Sequence, residues 1–242
     1  MTTPLQRATK EDQYDLGDLQ WAKEGRSEST RTGFFWEYLE PYAELWKDKA
    51  VLDIGAGTGW LVSHALEKGA AVAIGVEPSE KNIAQGQQDH PGVELVKSSL
   101  EAFDNAGQLF DEIVAVMSFP HIADLDAAFK KIRSMLTDGG EVLIVVPDYE
   151  YFKTSRHGYG IEIQDIDQDQ YAIAVTRESG TLADIVRRLA IYAAAAKAAG
   201  LELIEEKAMM PTETQMKRAP KYASVKDKAL THLMRFRINE SS

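Results

Sequence analysis

The sequence contains no cysteine, which excludes disulfides, thiol nucleophiles and cysteine-ligated metal sites. No apolar run approaches the about 20 residues needed to span a bilayer, and the polar N-terminal residues do not resemble a secretory signal. These absences predict a protein that has no membrane partner and favour a cytoplasmic location. The spacing of histidine and acidic residues does not indicate a metal site.

Basic residues are also scarce, since 27 Lys and Arg stand against 38 Asp and Glu, for a formal net charge of −11. A field of this sign repels nucleic acid and disfavours an RNA or DNA partner. Residues 217–237 reverse the balance locally, because they are rich in lysine and arginine. We interpret this segment as a solvated surface, with contact to an anionic substrate or to RNA as the alternative.

Short apolar runs alternate with helical patterns through the middle of the chain. Seven strands are predicted, at residues 50–54, 71–76, 93–96, 112–117, 141–146, 201–205 and 233–238. Continuous apolar strands separated by helices are typical of an α/β fold. We therefore expect a mostly parallel seven-stranded sheet with helices on both faces.

Both ends of the chain depart from this alternation. Residues 1–26 are polar and predict an arm, whereas the helical apolar face over 27–46 predicts an N-terminal helical cap. Pro41 lacks an N–H, so it should kink this helix or begin a second one. The polar residues 167–170 lie between two alternating segments, a pattern that predicts a β-hairpin.

A helix is predicted from Thr181 to Gly200, with Thr181 and Asp184 as its capping box. The hairpin interrupts the α/β rhythm, so we interpret it as an insertion over the mouth of the sheet. A single domain is expected, with an arm and cap at 1–48, a core at 49–147, the insertion at 148–180 and a C-terminal helix and strands at 181–242.

The clearest chemical signal is the glycine-rich loop that follows the first strand, Gly55-Ala56-Gly57-Thr58-Gly59. Glycines allow a tight turn and let a ligand lie against bare backbone. A dinucleotide fingerprint has its third glycine at the position of Trp60, whose bulk favours a ligand without a pyrophosphate. Glu77 ends the next strand, about 20 residues further on, where an acid accepts hydrogen bonds from ribose hydroxyls.

Four segments in this order resemble class I S-adenosylmethionine-dependent methyltransferases: VLDIGAGTGWL, IGVEPSEKNI, FDEIVAVMSFPHI and DLDAAFKKIRSMLTDGGEVLIVVPD. The resemblance covers residues 50–148 and is greatest to enzymes that methylate small molecules. It implies the class I fold with S-adenosylmethionine as the methyl donor. It also implies transfer to O, N or C of a small-molecule acceptor, with S-adenosylhomocysteine as the by-product.

The resemblance further implies a set of cofactor contacts. Asp53 and the glycine loop would hold the methionine part, and Glu77 would bind the ribose. Ser99 stands where the family usually has an Asp that binds the adenine amino group, and a hydroxyl accepts more weakly than a carboxylate. Further contacts are expected from Trp60, Pro78, Ser79, Leu100, Met117, Ser118 and Phe119.

Candidate catalytic residues lie after the fourth strand and in the insertion. His121 could act as a general base, and the alternative is that it packs beneath the cofactor. His157 and Tyr159 are candidates on the acceptor side. Three residues of the arm could close over the cofactor, namely Tyr14, Trp21 and Arg26, the last by pairing with the cofactor carboxylate.

Three other functions remain open from the sequence. A nicotinamide-dependent oxidoreductase is disfavoured by Trp60 and by the lack of a recognisable Tyr-x-x-x-Lys pair. A methyltransferase-like binding protein without activity is the second. The third is a tRNA or RNA methyltransferase that uses residues 217–237. The predicted hairpin also offers an edge at which a second copy could pair, so a homodimer is one expectation.

Overall fold

The structure is a computed structural model, and it describes residues 2–8, 31–154, 159–177 and 180–239 of the 242-residue chain. Its strands are β1 (Ala50–Ile54), β2 (Val72–Glu77), β3 (Glu94–Lys97), β4 (Phe110–Val116), β5 (Leu136–Pro147), β6 (Gly160–Asp165), β7 (Gln170–Arg177), β8 (Gly180–Arg187), β9 (Leu201–Met209) and β10 (Thr231–Ile238). The α-helices of the described residues are α1 (Pro4–Ala8), α2 (Arg31–Ala43), α3 (Trp60–Glu67), α4 (Glu80–Asp89), α5 (Leu125–Met135), α6 (Tyr149–Phe152), α7 (Leu189–Ala198) and α8 (Glu213–Arg218).

Seven strands form the central sheet, in the order β3-β2-β1-β4-β5-β10-β9. The first five are parallel to one another, whereas β10 is antiparallel to both β5 and β9. The expected mostly parallel, seven-stranded sheet is therefore confirmed. Because β9 runs in the same direction as β5, residues 210–230 connect β9 to β10 at the edge where β1, β2, β4 and β5 end.

Alternate residues of each central strand enter two different cores. Leu52 packs with residues of α5 and α7, such as Phe129 and Tyr192, on one face of the sheet. Its neighbour Val51 packs on the other face, among buried residues of α2 and α3. Helices thus cover both faces, as the continuous apolar strands predicted.

The insertion is a three-stranded antiparallel sheet in the order β6-β7-β8, which we call the small sheet. The predicted hairpin is confirmed as β6 and β7. The predicted helical start at Thr181 is wrong, because residues 180–187 form β8 and α7 begins only at Leu189. The Thr181 hydroxyl lies 2.9 Å from the Thr176 hydroxyl across the small sheet and caps no helix. The small sheet therefore extends beyond residue 180.

The apolar residues of 182–189 fit a helical face and a strand equally well when only spacing is considered. In the structure their side chains point to the two faces of a strand. Ala183 and Ile185 pack against Ala8 of α1 on one face, and Val186 packs on the opposite face. Pairing with β7 along the whole length of β8 decides in favour of the strand.

Two element ends near the sheet also differ from expectation. Pro41 lies inside α2, near its end at Ala43, so no second helix begins there. The helix α5 ends at Met135, and β5 follows at once from Leu136, several residues before the predicted strand. None of the described helices is long and apolar enough to cross a membrane.

Candidate functional site

The glycine loop turns sharply at the end of β1. Gly55, Gly57 and Gly59 all have positive φ, at 72°, 57° and 79°. The Gly55 N–H donates to the Val76 carbonyl at 2.8 Å, which ties the loop to the end of β2. A Cβ on Gly55 would lie 2.4 Å from the Ser118 Cβ, so the loop approaches the end of β4 as closely as glycine allows.

Glu77 lies at the end of β2, where the sequence predicted an acid, and it is buried. Its Oε2 accepts from the Gly57 N–H at 2.8 Å, and its Oε1 accepts from the Ser79 N–H at 2.9 Å. The Asn82 side chain also donates to Oε1, at 3.2 Å. The carboxylate therefore joins the glycine loop to the start of α4. The Asn82 contact was not predicted from the sequence, and ribose binding by Glu77 stays a prediction.

Asp53, on β1, is also buried, at 3% exposed. Burial, together with the nearby Glu77 carboxylate, raises the pKa of Asp53 to about 8. Within the described ranges, no hydrogen bond to the Asp53 carboxylate is found, and the buried Ser118 Oγ is likewise without a partner. Buried polar groups in folded proteins are normally hydrogen-bonded. These two groups mark a place where a polar, cationic ligand would fit.

The predicted adenosine contacts follow β2 and β3. Ser79 caps α4 by accepting from the Asn82 N–H at 3.3 Å, and Pro78 is half-buried before it. The Ser99 hydroxyl accepts from the Ala102 N–H, also at 3.3 Å. Leu100 packs into the core, so its backbone is the part that remains for a ligand. Contacts of these residues with adenine stay predictions.

Trp60 begins α3, and its side chain packs against the cap helix α2. Its ring meets Trp36 edge-on, with 6.4 Å between centroids, and Trp36 stacks on His64 at 4.1 Å. The indole therefore joins the glycine loop to α2, which is a packing role that the sequence did not indicate. A contact of Trp60 with the cofactor stays a prediction.

The residues that follow β4 have different surroundings. Met117 has a φ of 59°, a conformation that is strained for a residue other than glycine and is frequent at functional sites. Its side chain packs against the cluster on the small sheet. Phe119 is fully buried in the core, with its ring 5.1 Å from that of Phe129. The Phe119 side chain therefore packs in the core, and a contact of Phe119 with the cofactor stays a prediction.

His121 is brought to an acid that the sequence did not associate with it. The His121 Nε2 lies 3.5 Å from the Asp184 Oδ1, and both side chains are about one-fifth exposed, at 20% and 18%. Asp184 belongs to β8. It was missed because the sequence placed it in a capping box. The spacing of apolar residues gave no signal for it, because residues 182–189 suit a helix and a strand equally well.

Arg187, also on β8, is a second residue that was missed. It is buried, and its guanidinium donates to the carbonyls of Phe119, Ile122 and Ala123 at 3.3, 2.7 and 3.3 Å. Its Nε donates to the Gln170 side chain at 3.2 Å. One strand of the small sheet thus holds the whole segment that carries His121.

The other predicted residues are not all brought to the site. Tyr159 precedes β6 and is exposed. The predictions for Tyr14, Trp21, Arg26 and His157 lie outside the described residues. Where the structure describes the chain, no group of three or more His, Asp or Glu side chains could hold a metal ion.

The basic segment 217–237 divides into two parts. Arg235 pairs with Glu141 at 2.6 Å and with Glu205 at 3.5 Å, so its charge is compensated within the central sheet. Lysines of the connection between β9 and β10 are exposed at the edge where the site lies: Lys217, Lys226 and Lys228.

The sheet order, the glycine loop and the buried acid at the end of β2 are together those of a Rossmann-like methyltransferase domain. A family model described as a methyltransferase domain matches residues 31–206, and the chain belongs to this family. The resemblance drawn from the four motifs is confirmed.

Two curated relatives illustrate the range of the family. The tRNA U34 carboxymethyltransferase of Ruthia magnifica subsp. Calyptogena magnifica is 28% identical over 137 residues, which cover 54% of this chain and 41% of that protein. The ubiquinone biosynthesis O-methyltransferase of Azorhizobium caulinodans is 31% identical over 102 residues, which cover 40% of each chain. The chain thus spans less than half the length of these relatives.

Solved structures share the fold over most of the chain. An S-adenosylmethionine dependent methyltransferase from Mesorhizobium loti superposes with a TM-score of 0.67 at 19% identity, covering 84% of this chain and 97% of its own. The CcbJ methyltransferase from Streptomyces caelestis has a TM-score of 0.65 at 17% identity, with coverage of 95% and 99%. At these identities the comparison establishes the fold.

Proposed function

We propose that the protein is an S-adenosylmethionine-dependent methyltransferase that acts on O, N or C of a small-molecule acceptor. When bound, S-adenosylmethionine supplies a methyl group on a positively charged sulfur, and the electrons of the broken C–S bond return to sulfur to give S-adenosylhomocysteine. The observation that carries the proposal is the pair of buried acids, Asp53 and Glu77, beside the glycine loop.

This pair distinguishes between the ligands that a glycine loop can hold. An ionised carboxylate inside a protein is costly unless it is paired. A ligand with an ammonium and a sulfonium group would favour the ionised form of Asp53 and pair with it, whereas the pyrophosphate of a dinucleotide would add negative charge beside two buried acids. The charge at the loop therefore supports an adenosyl cofactor over NAD.

The residues that would hold the cofactor surround this loop. Asp53 and residues 55–59 would bind its methionine part, and Glu77 would bind the ribose hydroxyls. The groups around the adenosine would be Pro78, Ser79, Ser99 and Leu100. Ser118 has a buried hydroxyl without a partner among the described residues, and it would face the sulfur end beside Met117.

The small sheet supports a small acceptor. It packs its apolar face, which includes Ile173 and Val186, against Met117 at the end of β4. Tyr151 and Ile161 lie at the margin of the same cluster. A covered site excludes water and suits an acceptor that the protein can surround. A methyl group bound to sulfonium is already reactive, so holding the acceptor in line is the main task of these residues.

A tRNA or RNA acceptor is the second candidate. One relative is a tRNA U34 carboxymethyltransferase, and Lys217, Lys226 and Lys228 are exposed at the edge of the sheet where the site lies. Binding through phosphates would fall steeply with salt. Titration of the full chain with total tRNA at several salt concentrations would therefore separate this candidate from a small-molecule enzyme.

Calorimetric titration of the full chain with S-adenosylmethionine, S-adenosylhomocysteine and NAD tests the cofactor directly. We expect both adenosyl compounds to bind with a Kd below about 1 mM, which corresponds to about −4 kcal/mol, and NAD to bind more weakly. Tighter binding of NAD, or no binding of either adenosyl compound, would refute the proposal.

A further inference from the structure

The segment between β4 and α5 carries His121, and β8 holds it at several points. Arg187 donates to backbone carbonyls on both sides of His121, those of Phe119 and Ile122. The Asp184 carboxylate approaches the imidazole itself, with 3.5 Å between Oδ1 and Nε2. Backbone and side chain of this segment are thus fixed by two different residues of the same strand.

The register of the small sheet sets where this pair lies. Asp184 is directly opposite Ile173 of β7, so the two side chains share one face of the sheet. Ile173 belongs to the cluster that packs against Met117. The His121–Asp184 pair is therefore on the face of the small sheet that covers the end of β4, where the methyl group would be transferred.

We propose that Asp184 is a positioning residue that prepares His121 to take a proton from the methyl acceptor. This inference rests on the proposed function, since only methyl transfer gives the proton a source. When ligand binding brings the two groups to hydrogen-bond distance, the Asp184 carboxylate would accept the Nε2–H, which leaves the lone pair of the neutral imidazole on Nδ1. A separation of 3.5 Å is long for a hydrogen bond, but such contacts often shorten when ligands bind.

The proton balance defines the class of acceptor. As the nucleophilic atom of the acceptor forms its bond to the methyl carbon, it loses its own proton to His121 Nδ1. The imidazolium that results carries N–H on both nitrogens, and the negative charge of Asp184 offsets its positive charge. This arrangement suits an acceptor whose nucleophilic atom carries a proton, such as a hydroxyl group. A tertiary amine or a thioether would leave His121 without a proton to accept.

Two charged residues of β8 lie near the segment that carries His121. Asp184 is 3.5 Å from the Nε2 atom. Arg187 is cationic, but its donors are directed at Phe119, Ile122, Ala123 and Gln170. It therefore acts on the backbone of the segment, and Asp184 acts on the ring.

The test is the ¹⁵N-edited NMR signal of the imidazole N–H groups in the full chain, recorded with saturating S-adenosylhomocysteine as the probe. The pH is set about two units above the ordinary histidine pKa of about 6.5. A proton held by a carboxylate is shifted downfield and exchanges slowly with water. We expect such a signal from His121 Nε2, assigned by its loss in His121→Gln.

Three variants then isolate Asp184. Asp184→Ala should abolish the downfield signal, and Asp184→Asn, which keeps an oxygen acceptor without the charge, should keep a weaker one. Asp165→Asn removes the same charge from an exposed site on β6 and should change nothing. The corresponding proton of His232, whose Nε2 lies 2.9 Å from Asp148, is an internal reference for correct folding.

The two proposals fail in different ways. If S-adenosylhomocysteine binds but the His121 signal is absent, or is the same in Asp184→Ala, Asp184 does not position His121 and the inference is wrong. If neither adenosyl compound binds to a folded wild-type chain, the proposed function itself is wrong.

Discussion

Asp53 lies beside the Glu77 carboxylate at the ends of neighbouring strands, and burial together with this negative charge raises the pKa of Asp53 to about 8. Glu77 is compensated by the N–H groups of Gly57 and Ser79. For Asp53 no such donor is found in the part of the chain that the structure describes. Of these two neighbouring acids, Glu77 is thus hydrogen-bonded to backbone donors and Asp53 is not, and two predictions depend on this difference.

The first prediction concerns stability against pH. The folded-state pKa of Asp53 lies above its unfolded value, so the folded state binds this proton more tightly. Ionisation of Asp53 therefore destabilises the fold as the pH rises from about 4 to about 8, by at most about 1.4 kcal/mol per pH unit. Asp53→Asn should remove this contribution. The free energy of unfolding of both proteins is measured with denaturant from pH 5 to pH 8. We expect Asp53→Asn to become more stable relative to wild type as the pH rises.

The control for this comparison is Asp138→Asn, at an exposed position of β5. Its stability should follow the wild-type pH dependence. If Asp53→Asn follows it too, the raised pKa of Asp53 is refuted.

The second prediction concerns proton release. A cationic ligand beside Asp53 favours the ionised carboxylate and lowers its pKa. Binding of S-adenosylmethionine at pH 7 should therefore release up to one proton. The apparent binding enthalpy should then differ between Tris and phosphate buffers in proportion to their ionisation enthalpies. Asp53→Asn should lose this buffer dependence, and a wild-type enthalpy that is equal in both buffers would contradict the prediction.

The third prediction separates a steric from a conformational effect in the glycine loop. Gly55→Ala places a Cβ 2.4 Å from the Ser118 Cβ at a φ of +72°, whereas Gly57→Ala meets no atom within 4 Å at a φ of +57°. The backbone conformation alone should cost about 1–2 kcal/mol at either position. The clash should add about 1–3 kcal/mol at Gly55.

Equilibrium unfolding of the two variants, with Gly139→Ala as the reference, measures the difference. Gly139 has open space around its Cβ position and no positive φ. If Gly55→Ala and Gly57→Ala lower the free energy of unfolding equally, the loop does not approach the end of β4 as closely as described.

The fourth prediction concerns the buried cation of the small sheet. Arg187→Met removes the donors to three backbone carbonyls and should lower the free energy of unfolding by about 2–4 kcal/mol. Arg188→Met removes a neighbouring arginine that is 46% exposed and pairs with Glu150 and Asp169, so the loss should be about 1 kcal/mol or less. If Arg188→Met is the more harmful of the two, Arg187 does not hold the segment.

The parts of the site that are continuous in the sequence were predictable. The glycine loop follows β1 directly, and the acid at the end of β2 comes about 20 residues later. Local sequence pattern is therefore enough to predict both features. Asp184 and Arg187 were not predicted, because apolar residues at 182–189 suit a helix and a strand alike. Only pairing with β7 selects the strand.

Other features depend on contacts between distant segments. The positive φ of Met117 and the burial of Phe119 cannot be derived from spacing, since both follow from how β4 meets the small sheet and α5. That Trp60 disfavours a pyrophosphate stays a prediction, and its packing on Trp36 of the cap helix was not foreseen.

The most direct test of the central claim compares the affinity for S-adenosylhomocysteine of wild type, Glu77→Gln and Glu80→Gln. Glu77→Gln removes the charge that binds Gly57, Ser79 and, on our account, the ribose. Glu80→Gln removes an equal charge three residues away, from an exposed pair with Lys97. With folding of each variant checked by circular dichroism, we expect Kd to rise at least about tenfold, or about 1.4 kcal/mol, for Glu77→Gln and to stay at the wild-type value for Glu80→Gln. A folded Glu77→Gln variant with wild-type affinity would contradict the assignment of this site to the cofactor.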